Sequence, residues 1–211
     1  MGKPRAVIFD FDGTLVDTMG SFADIAAGVI HRRYGMDWAR ARRQYLKTSG
    51  LPFRQQLESI FPTDTRNDEA SREFEDAKVE TFFQESFPNE VREAIADLRE
   101  QGYIVVISSN NGQELVDRFV NRETVPFHMV LGARKDFFKG RDHFAYIRDS
   151  FGIPEDDMVF VGDSLKDAEK AIDNGVRFVG KLGTFKRADF EKSYPGVSTV
   201  ASLTDLLDKI Q

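Results

Sequence analysis

Short apolar runs recur along the chain with helical patterns between them. The runs are AVIF (6–9), YIVVIS (103–108), FHMVLG (127–132), MVFVG (158–162) and VRFVG (176–180). They show little alternation of apolar and polar positions, which is typical of strands buried on both faces of a parallel sheet. Because helices separate the runs, the pattern predicts an α/β fold with a doubly wound, Rossmann-like parallel sheet.

The helical patterns have recognisable ends. The segment NEVREAIADLREQG places Asn89 as an N-cap and Gly102 as the residue that ends the helix. Four further segments predict helices in the same way: LVDRFV, RDHFAYIRDSFG, LKDAEKAIDNG and ASLTDLLDKI.

One region departs from this alternation. Between the first strand and residue 88 the sequence predicts only helices, with Pro52, Pro62 and Pro88 at their boundaries. We therefore expect an α/β core domain of residues 1–16 and 89–211, and a helical domain of residues 17–88 inserted after the first strand.

Composition excludes several kinds of partner and chemistry. The formal net charge of -6 argues against nucleic acid or an anionic membrane as a partner and favours a small ligand. The sequence has no cysteine, so disulfides, thiolate metal sites and cysteine nucleophiles are excluded. No apolar run is long enough to cross a membrane, and MGKPRAVIF leads directly into the first strand, so we expect a cytoplasmic protein. A monomer and a homodimer are both compatible with the sequence.

Polar side chains follow the predicted strands at the points where ligands bind in open parallel sheets. Carboxylates, hydroxyls and a lysine are thereby expected to meet at one edge of the sheet. They are Asp10, Asp12, Gly13 and Thr14 after the first run, Ser108 to Asn111 after the second, Lys135 and Lys139 after the third, and Asp163, Ser164 and Asp167 after the fourth.

In this arrangement the sequence resembles the haloacid dehalogenase-like superfamily, most of whose members are phosphatases and phosphomutases that act through an aspartyl-phosphate. Four motifs appear in the family's order: DFDGTLVD (10–17), Ser108 at the end of VVIS, Lys139, and GDSLKD (162–167). The resemblance covers nearly the whole chain, and the inserted helices stand where the family's C1-type cap belongs.

The resemblance implies that Asp10 is the nucleophile and Asp12 the general acid and base. These roles are physically reasonable, because a nucleophile must be ionised whereas an acid needs a raised pKa, and different environments can separate two carboxyl groups. Gly13 allows a tight turn, and backbone N–H groups beyond Asp10, including that of Thr14, are candidates to hold phosphoryl oxygens. Ser108 with its neighbour Ser109, and Lys139, are further candidates to bind the phosphoryl group.

A carboxylate that attacks a phosphate needs a nearby positive charge. Repulsion amounts to about 4 kcal/mol per pair of unit charges at 4 Å with an effective dielectric near 20. Mg²⁺ suits such an all-oxygen site. The resemblance implies as its ligands the side chain of Asp10, the main-chain carbonyl of Asp12 and the side chain of Asp163, with Asp167 joining through water.

Some assignments have structural alternatives. Ser164 and Asp167 also have the spacing of a helix cap and its third residue, so Asp167 is open between a capping and a metal-linked role. Lys139 is preferred over Lys135 because it lies directly before a predicted helix, as the family lysine does. It is followed by Gly140 where the family commonly has proline, which indicates a more flexible loop.

The histidines and the inserted arginines carry weaker signals. His31, His128 and His143 show no metal-ligand spacing, and we expect each to be an exposed or partly buried structural residue. The basic segment WARARRQYLK is typical of a solvated helix face, with recognition of a second anionic group as the alternative. Arg54, in GLPFR at a loop-to-helix junction, is the preferred substrate-binding candidate of the inserted domain.

The leading hypothesis is a Mg²⁺-dependent phosphatase that acts on a small phosphorylated metabolite, similar to phosphoglycolate phosphatases. A phosphomutase of the β-phosphoglucomutase type has the same motifs and remains an alternative. A non-catalytic binding module is disfavoured because all four motifs are intact. Dehalogenase activity is disfavoured by the presence of Asp12, and phosphonate hydrolysis by the sequence of the first motif.

Overall fold

The computed structural model describes residues 4–210 and divides them into two compact units. One unit comprises residues 17–85. The other comprises residues 4–16 together with 86–210, so that the chain leaves the second unit after its first strand and returns to it.

The unit of residues 17–85 is helical. Its core is aromatic: the rings of Phe53 and Phe74 lie 4.2 Å apart between centroids, and Tyr45 and Phe22 contact Phe74 from other sides. All four of these side chains are buried. The helices are α1 (Met19–Tyr34), α2 (Trp38–Lys47), α3 (Phe53–Ile60) and α4 (Asn67–Gln84).

The second unit contains a parallel sheet of six strands in its described residues, in the order β3-β2-β1-β4-β5-β6. Every neighbouring pair is parallel, and the order reverses beside β1, as in a doubly wound sheet. The predicted fold class is therefore confirmed. The strands are β1 (Ala6–Phe9), β2 (Ile104–Gly112), β3 (Met129–Ala133), β4 (Met158–Gly162), β5 (Arg177–Lys181) and β6 (Ser198–Val200).

Helices alternate with these strands along the chain. They are α5 (Asn89–Glu100), α6 (Gln113–Glu123), α7 (Arg141–Phe151), α8 (Leu165–Asp173), α9 (Arg187–Ser193) and α10 (Leu207–Ile210), and short 3₁₀ turns form at Glu155–Asp157 and Leu203–Asp205. The expectation that Asn89 caps α5 is wrong: Pro88 is the N-cap residue and Asn89 is the first helical residue. A proline that lacks an N–H suits this position because N–H groups at a helix start have no intrahelical acceptor.

Apolar side chains pack on the sheet and fix the positions of the strand ends. Ile8 and Val106 belong to a buried cluster with Phe144 and Phe160, and the last two rings meet edge to face at 5.4 Å. Phe11, just beyond β1, packs edge to face against Phe119 of α6 at 5.0 Å. These contacts anchor both sides of the turn that carries Asp10 and Asp12.

Two features of the sheet were not evident in the sequence. Strand β6 has only three residues, Ser198–Val200, and no apolar run marks it. Strand β2 extends to Gly112, beyond the predicted end at residue 108, and its pairing with β3 shifts register between Ser108 and Gly112. Within the described residues, no helix combines the length and apolar character needed to cross a bilayer.

Candidate active site

Asp10 and Lys139 form a buried ion pair at the end of β1. The backbone N–H of Asp10 donates to the carbonyl of Val161 at 2.8 Å, so this residue extends the pairing of β1 with β4. Nζ of Lys139 lies 2.7 Å from Oδ1 of Asp10 and 2.6 Å from Oδ1 of Asp167. Asp10 is 5% exposed and Lys139 6%, so water screens these interactions poorly.

Three carboxylates gather at this position from two neighbouring strand ends. One oxygen from each of Asp10, Asp163 and Asp167 can be chosen so that all three lie within 4.8 Å of one another, and all three residues are buried. With one lysine among them, the ionised group carries an excess of two negative charges. A divalent cation that prefers oxygen ligands would neutralise this excess, so these residues fit Mg²⁺.

Burial and repulsion from neighbouring carboxylates disfavour ionisation of Asp10 and Asp163 without such a cation. Burial raises the pKa of Asp10 to about 7, with Asp167 and Asp12 adding to the effect while Lys139 opposes it. Burial also raises the pKa of Asp163 well above its ordinary value, helped by Asp10 and Asp167. Burial alone would lower the pKa of Lys139, but the two carboxylates outweigh it and the pKa is raised. Lys139 is therefore a permanent cation here.

Asp167 performs the capping role that its spacing allowed. Its N–H donates to Oγ of Ser164 at 3.1 Å, and its Oδ2 accepts from the backbone N–H of Ser164 at 3.3 Å, which closes a capping box at the start of α8. Its other oxygen, Oδ1, faces Lys139. Asp167 therefore links the start of α8 to the lysine, and its metal-linked role stays a prediction.

Asp163 has a partner that the sequence analysis missed. The hydroxyl of Thr184 donates to Oδ2 of Asp163, and Asp163 is 1% exposed. Thr184 follows β5 in the loop before α9. The rule that polar residues after strands meet at one edge would have indicated it, since Thr184 comes after the fifth apolar run.

The turn after β1 uses most of its own backbone donors. Gly13 has φ of +78°, which glycine adopts without strain, and its N–H donates to the carbonyl of Val16 at 2.7 Å. The N–H groups of Thr14, Leu15 and Val16 all point to the carbonyl of Phe11. The Thr14 hydroxyl is buried and has no hydrogen-bond partner in the part of the chain that the structure describes.

Asp12 is held by Asn111, which the sequence places at this edge of the sheet but to which it gives no role. Nδ2 of Asn111 donates to Oδ2 of Asp12 at 2.7 Å. Asn111 is buried near the end of β2, in the stretch where the register shifts. The irregular end of β2 therefore places an amide against the predicted acid and base.

The two predicted serines lie in β2 with different partners. The Ser109 hydroxyl accepts from the N–H of Asn111 at 3.0 Å and so shapes the end of the strand. Oγ of Ser108 lies 2.8 Å from Nδ1 of His143, and both residues are 0% exposed. The expectation that His143 is exposed or partly buried is therefore wrong, because α7 packs this histidine against β2.

The backbone conformation at residue 140 explains why glycine, and not the proline common in the family, follows Lys139. Gly140 has φ of +110° and ψ of -128°, a conformation that proline, with φ near -65°, cannot adopt. It is the N-cap residue of α7 and directly follows Lys139. The glycine thus permits the backbone geometry by which this chain presents its lysine.

Arg54 lies in the helical unit and is held by two acids. It pairs with Asp68 at 2.5 Å and with Glu58 at 2.7 Å. In the basic helix α2, Arg42 pairs with Asp24 at 2.7 Å. These pairs are consistent with the solvated-face reading of the arginines, and the role of Arg54 toward substrate stays a prediction.

Comparisons with known proteins identify the family of the chain and find its fold in solved structures. The family model described as haloacid dehalogenase-like hydrolase matches residues 7–181, and the chain therefore belongs to that family. A search of curated proteins gave no match.

Solved structures share the fold along nearly the entire chain. A haloacid dehalogenase-like family protein from Streptococcus pneumoniae has a TM-score of 0.82 at 16% identity, with 100% of each chain covered. A predicted phosphoglycolate phosphatase from Haemophilus somnus has a TM-score of 0.76 at 20% identity, again with 100% of each chain covered. CbbY from Rhodobacter sphaeroides, determined in complex with phosphate, has a TM-score of 0.73 at 17% identity and 96% coverage of each chain. At these identities the likeness concerns the fold.

Proposed function

We propose that the protein is a Mg²⁺-dependent phosphatase that hydrolyses a small phosphorylated metabolite through an aspartyl-phosphate on Asp10. The observation that carries this proposal is the buried Asp10 at the end of β1, 2.7 Å from Lys139 and within 4.8 Å of oxygens from Asp163 and Asp167. Three acids and a lysine buried together are costly for folding unless they serve a ligand.

In the first half-reaction, a carboxylate oxygen of Asp10 attacks phosphorus and the bond from phosphorus to the alkoxide of the leaving group breaks. Asp12 gives its proton to that alkoxide. Mg²⁺, held by the side chains of Asp10 and Asp163 and the carbonyl of Asp12, would supply the charge that makes approach of two anions possible. Lys139 supplies a second positive charge, and Ser108 a neutral donor to the phosphoryl oxygens.

In the second half-reaction, Asp12 takes a proton from water, and the oxygen of that water attacks phosphorus. The bond between phosphorus and Asp10 breaks, inorganic phosphate leaves, and both aspartates return to their initial states. The hydrogen bond from Asn111 favours the ionised Asp12 that this half-reaction requires. We further propose that the helical unit of residues 17–85 serves as the cap that recognises the leaving group.

A phosphate-release screen tests the proposal. Sugar phosphates, phosphoglycolate, nucleotides and pyrophosphate would be incubated with the protein and Mg²⁺, in parallel with the Asp10→Asn variant. Release of inorganic phosphate from at least one compound, lost in the variant, supports the proposal. Movement of phosphate within a sugar phosphate without release would instead identify a phosphomutase, and undiminished turnover by Asp10→Asn would exclude the mechanism.

A further inference from the structure

His143 is a buried titratable residue that the proposed mechanism does not use. Its ring is 0% exposed, and it lies against Phe137 with 4.7 Å between ring centroids. It follows Lys139 by four residues, at the start of α7. The same short segment therefore brings both the lysine and this imidazole to the end of the sheet.

The charge on this imidazole follows from its surroundings. Burial lowers the pKa of His143 to about 3, and the nearby Lys139 and Arg134 act in the same direction. The carbonyl of Gly132 and the carboxylate of Asp142 oppose burial and Lys139 more weakly, and Arg134 has a smaller effect than either. His143 is therefore neutral at physiological pH, and a neutral imidazole has one N–H and one bare nitrogen.

The position of that single proton decides what the Ser108 hydroxyl can do. A hydroxyl has one proton, so if Ser108 donates to Nδ1 of His143 it cannot also donate to a phosphoryl oxygen. If Nδ1 carries the proton, the ring donates to Oγ of Ser108, and the hydroxyl proton is left for the substrate. Across the same 2.8 Å contact, one tautomer therefore uses up the Ser108 hydroxyl proton, and the other leaves it for the phosphoryl group.

The surroundings of Nε2 favour the tautomer in which Nδ1 carries the proton. Nε2 of His143 is buried, and no acceptor among the described residues lies in hydrogen-bond geometry to it, although the carbonyl of Gly132 is close enough to the ring to raise its pKa. A buried N–H without an acceptor is rarer in proteins than an acceptor without a donor. The proton is therefore better placed on Nδ1, where the Ser108 oxygen accepts it.

We propose that His143 is a positioning residue whose Nδ1–H donates to Ser108 and thereby turns the serine hydroxyl proton toward the phosphoryl group. This inference rests on the proposed function, since Ser108 needs a phosphoryl group to address. It assigns two tasks to the segment of residues 139–143: Lys139 compensates charge, and His143 orients the neutral donor beside it.

The tautomer can be measured without activity. In ¹⁵N-labelled wild-type protein with Mg²⁺ and inorganic phosphate, long-range proton–nitrogen correlation spectra distinguish Nδ1–H from Nε2–H, and His143→Asn assigns the signals. We expect the Nδ1–H tautomer at His143. The Nε2–H tautomer would overturn the proposal, whether or not the protein proves to be a phosphatase.

A double-mutant cycle tests the path through Ser108, with p-nitrophenyl phosphate and Mg²⁺ as the probe. We expect His143→Leu to lower kcat/KM about tenfold in the wild type and less than about twofold in a Ser108→Ala background, because the orienting contact is already lost there. His143→Asn offers an amide donor close to the position of Nδ1 and should retain activity within about threefold of the wild type. His31→Asn, at an exposed histidine, is the control.

Equal losses from His143→Leu in both backgrounds would show a purely structural role and overturn the proposal. If the leucine variant does not fold, His143→Asn in the two backgrounds and the tautomer measurement still decide. Absence of any phosphate release by the wild type would count against the proposed function alone, since the tautomer would then remain the deciding observation for His143.

Discussion

Nδ2 of Asn111 lies 2.7 Å from Oδ2 of Asp12, although 99 positions separate the two residues in the chain. The contact exists because β2 continues beyond Ser108 and shifts its register before Gly112. The NH₂ group of an asparagine amide can donate a hydrogen bond to a carboxylate, and the carbonyl oxygen of the amide can accept one from a carboxylic acid. Asn111 is therefore suited to a residue that must alternate between the two states.

This contact predicts a loss of turnover in Asn111→Ala. Since hydrogen bonds to charged groups contribute about 1.5–3 kcal/mol, kcat should fall at least about tenfold with little change in KM. Steady-state kinetics on the substrate found by the phosphate screen would measure this. Asn110→Ala, one residue away, is the matched control, and an equal effect of both variants would contradict a specific role for Asn111.

The ion pairs of Lys139 predict a large effect on stability. Lys139→Met leaves Asp10 and Asp167 without their buried cation, and breaking such a pair costs about 3 kcal/mol or more of unfolding free energy. Urea unfolding at neutral pH without added Mg²⁺ would show the loss, with Lys135→Met at an exposed position as control. Asp10→Asn added to Lys139→Met should recover part of the loss, and strict additivity of the two changes would argue against the pairing.

The buried imidazole predicts a dependence of stability on pH. The pKa of His143 is about 3 in the folded protein and 6.5 when exposed, so between these values the unfolded chain binds a proton that the folded protein does not. Stability from this group is therefore complete above pH 6.5 and falls as the pH is lowered, by about 1.4 kcal/mol per unit.

Unfolding titrations of the wild type and His143→Asn between pH 7 and 5 would isolate this contribution, because the other ionisable groups are common to both proteins. The wild type should lose about 2 kcal/mol more than the variant on going to pH 5. Parallel curves for the two proteins would contradict a neutral buried His143. His31→Asn should follow the wild type.

The acidic cluster predicts that Mg²⁺ stabilises the folded protein. Removal of divalent cations with a chelator should abolish turnover and lower Tm, since three buried acids then share only one lysine. Asp163→Asn should reduce the Mg²⁺-dependent rise in Tm, whereas Asp173→Asn, on the exposed side of α8, should leave it intact. A full Tm rise in Asp163→Asn would remove Asp163 from the proposed ligands.

Replacing Arg54 tests whether the helical unit of residues 17–85 contacts the substrate. Because Asp68 and Glu58 already hold its guanidinium, an anionic substrate would compete with them, and we expect only about a threefold rise in KM for Arg54→Ala. Arg72→Ala, on the neighbouring helix α4, is the control. Unchanged KM and kcat on the true substrate would exclude Arg54 as a contact.

The parts of the site that the sequence predicted follow from one rule. Apolar runs marked five of the six strands, and polar residues directly after them, such as Asp10 and Asp163, had to meet where parallel strands end. Strand β6 was not predicted because Ser198 and Thr199 leave it without an apolar run. The same rule, applied to β5, would have predicted Thr184 at this edge, because Thr184 follows that strand.

The rest depended on tertiary packing. His143 is an ordinary polar position in the sequence of α7, and only the docking of that helix on β2 buries it against Ser108. Asn111 reaches Asp12 through an irregular strand end, which leaves no periodic signal. Gly140 was read as a source of flexibility, whereas its positive φ defines one particular backbone geometry.

The most direct test of the account is the site of phosphorylation. Wild-type protein would be mixed with Mg²⁺ and a substrate from the screen, quenched in acid during turnover, digested, and analysed by mass spectrometry. The account predicts a phosphoryl group on Asp10, absent from the Asp10→Asn variant. A phosphoryl group on any other residue, or full turnover by Asp10→Asn, would contradict it.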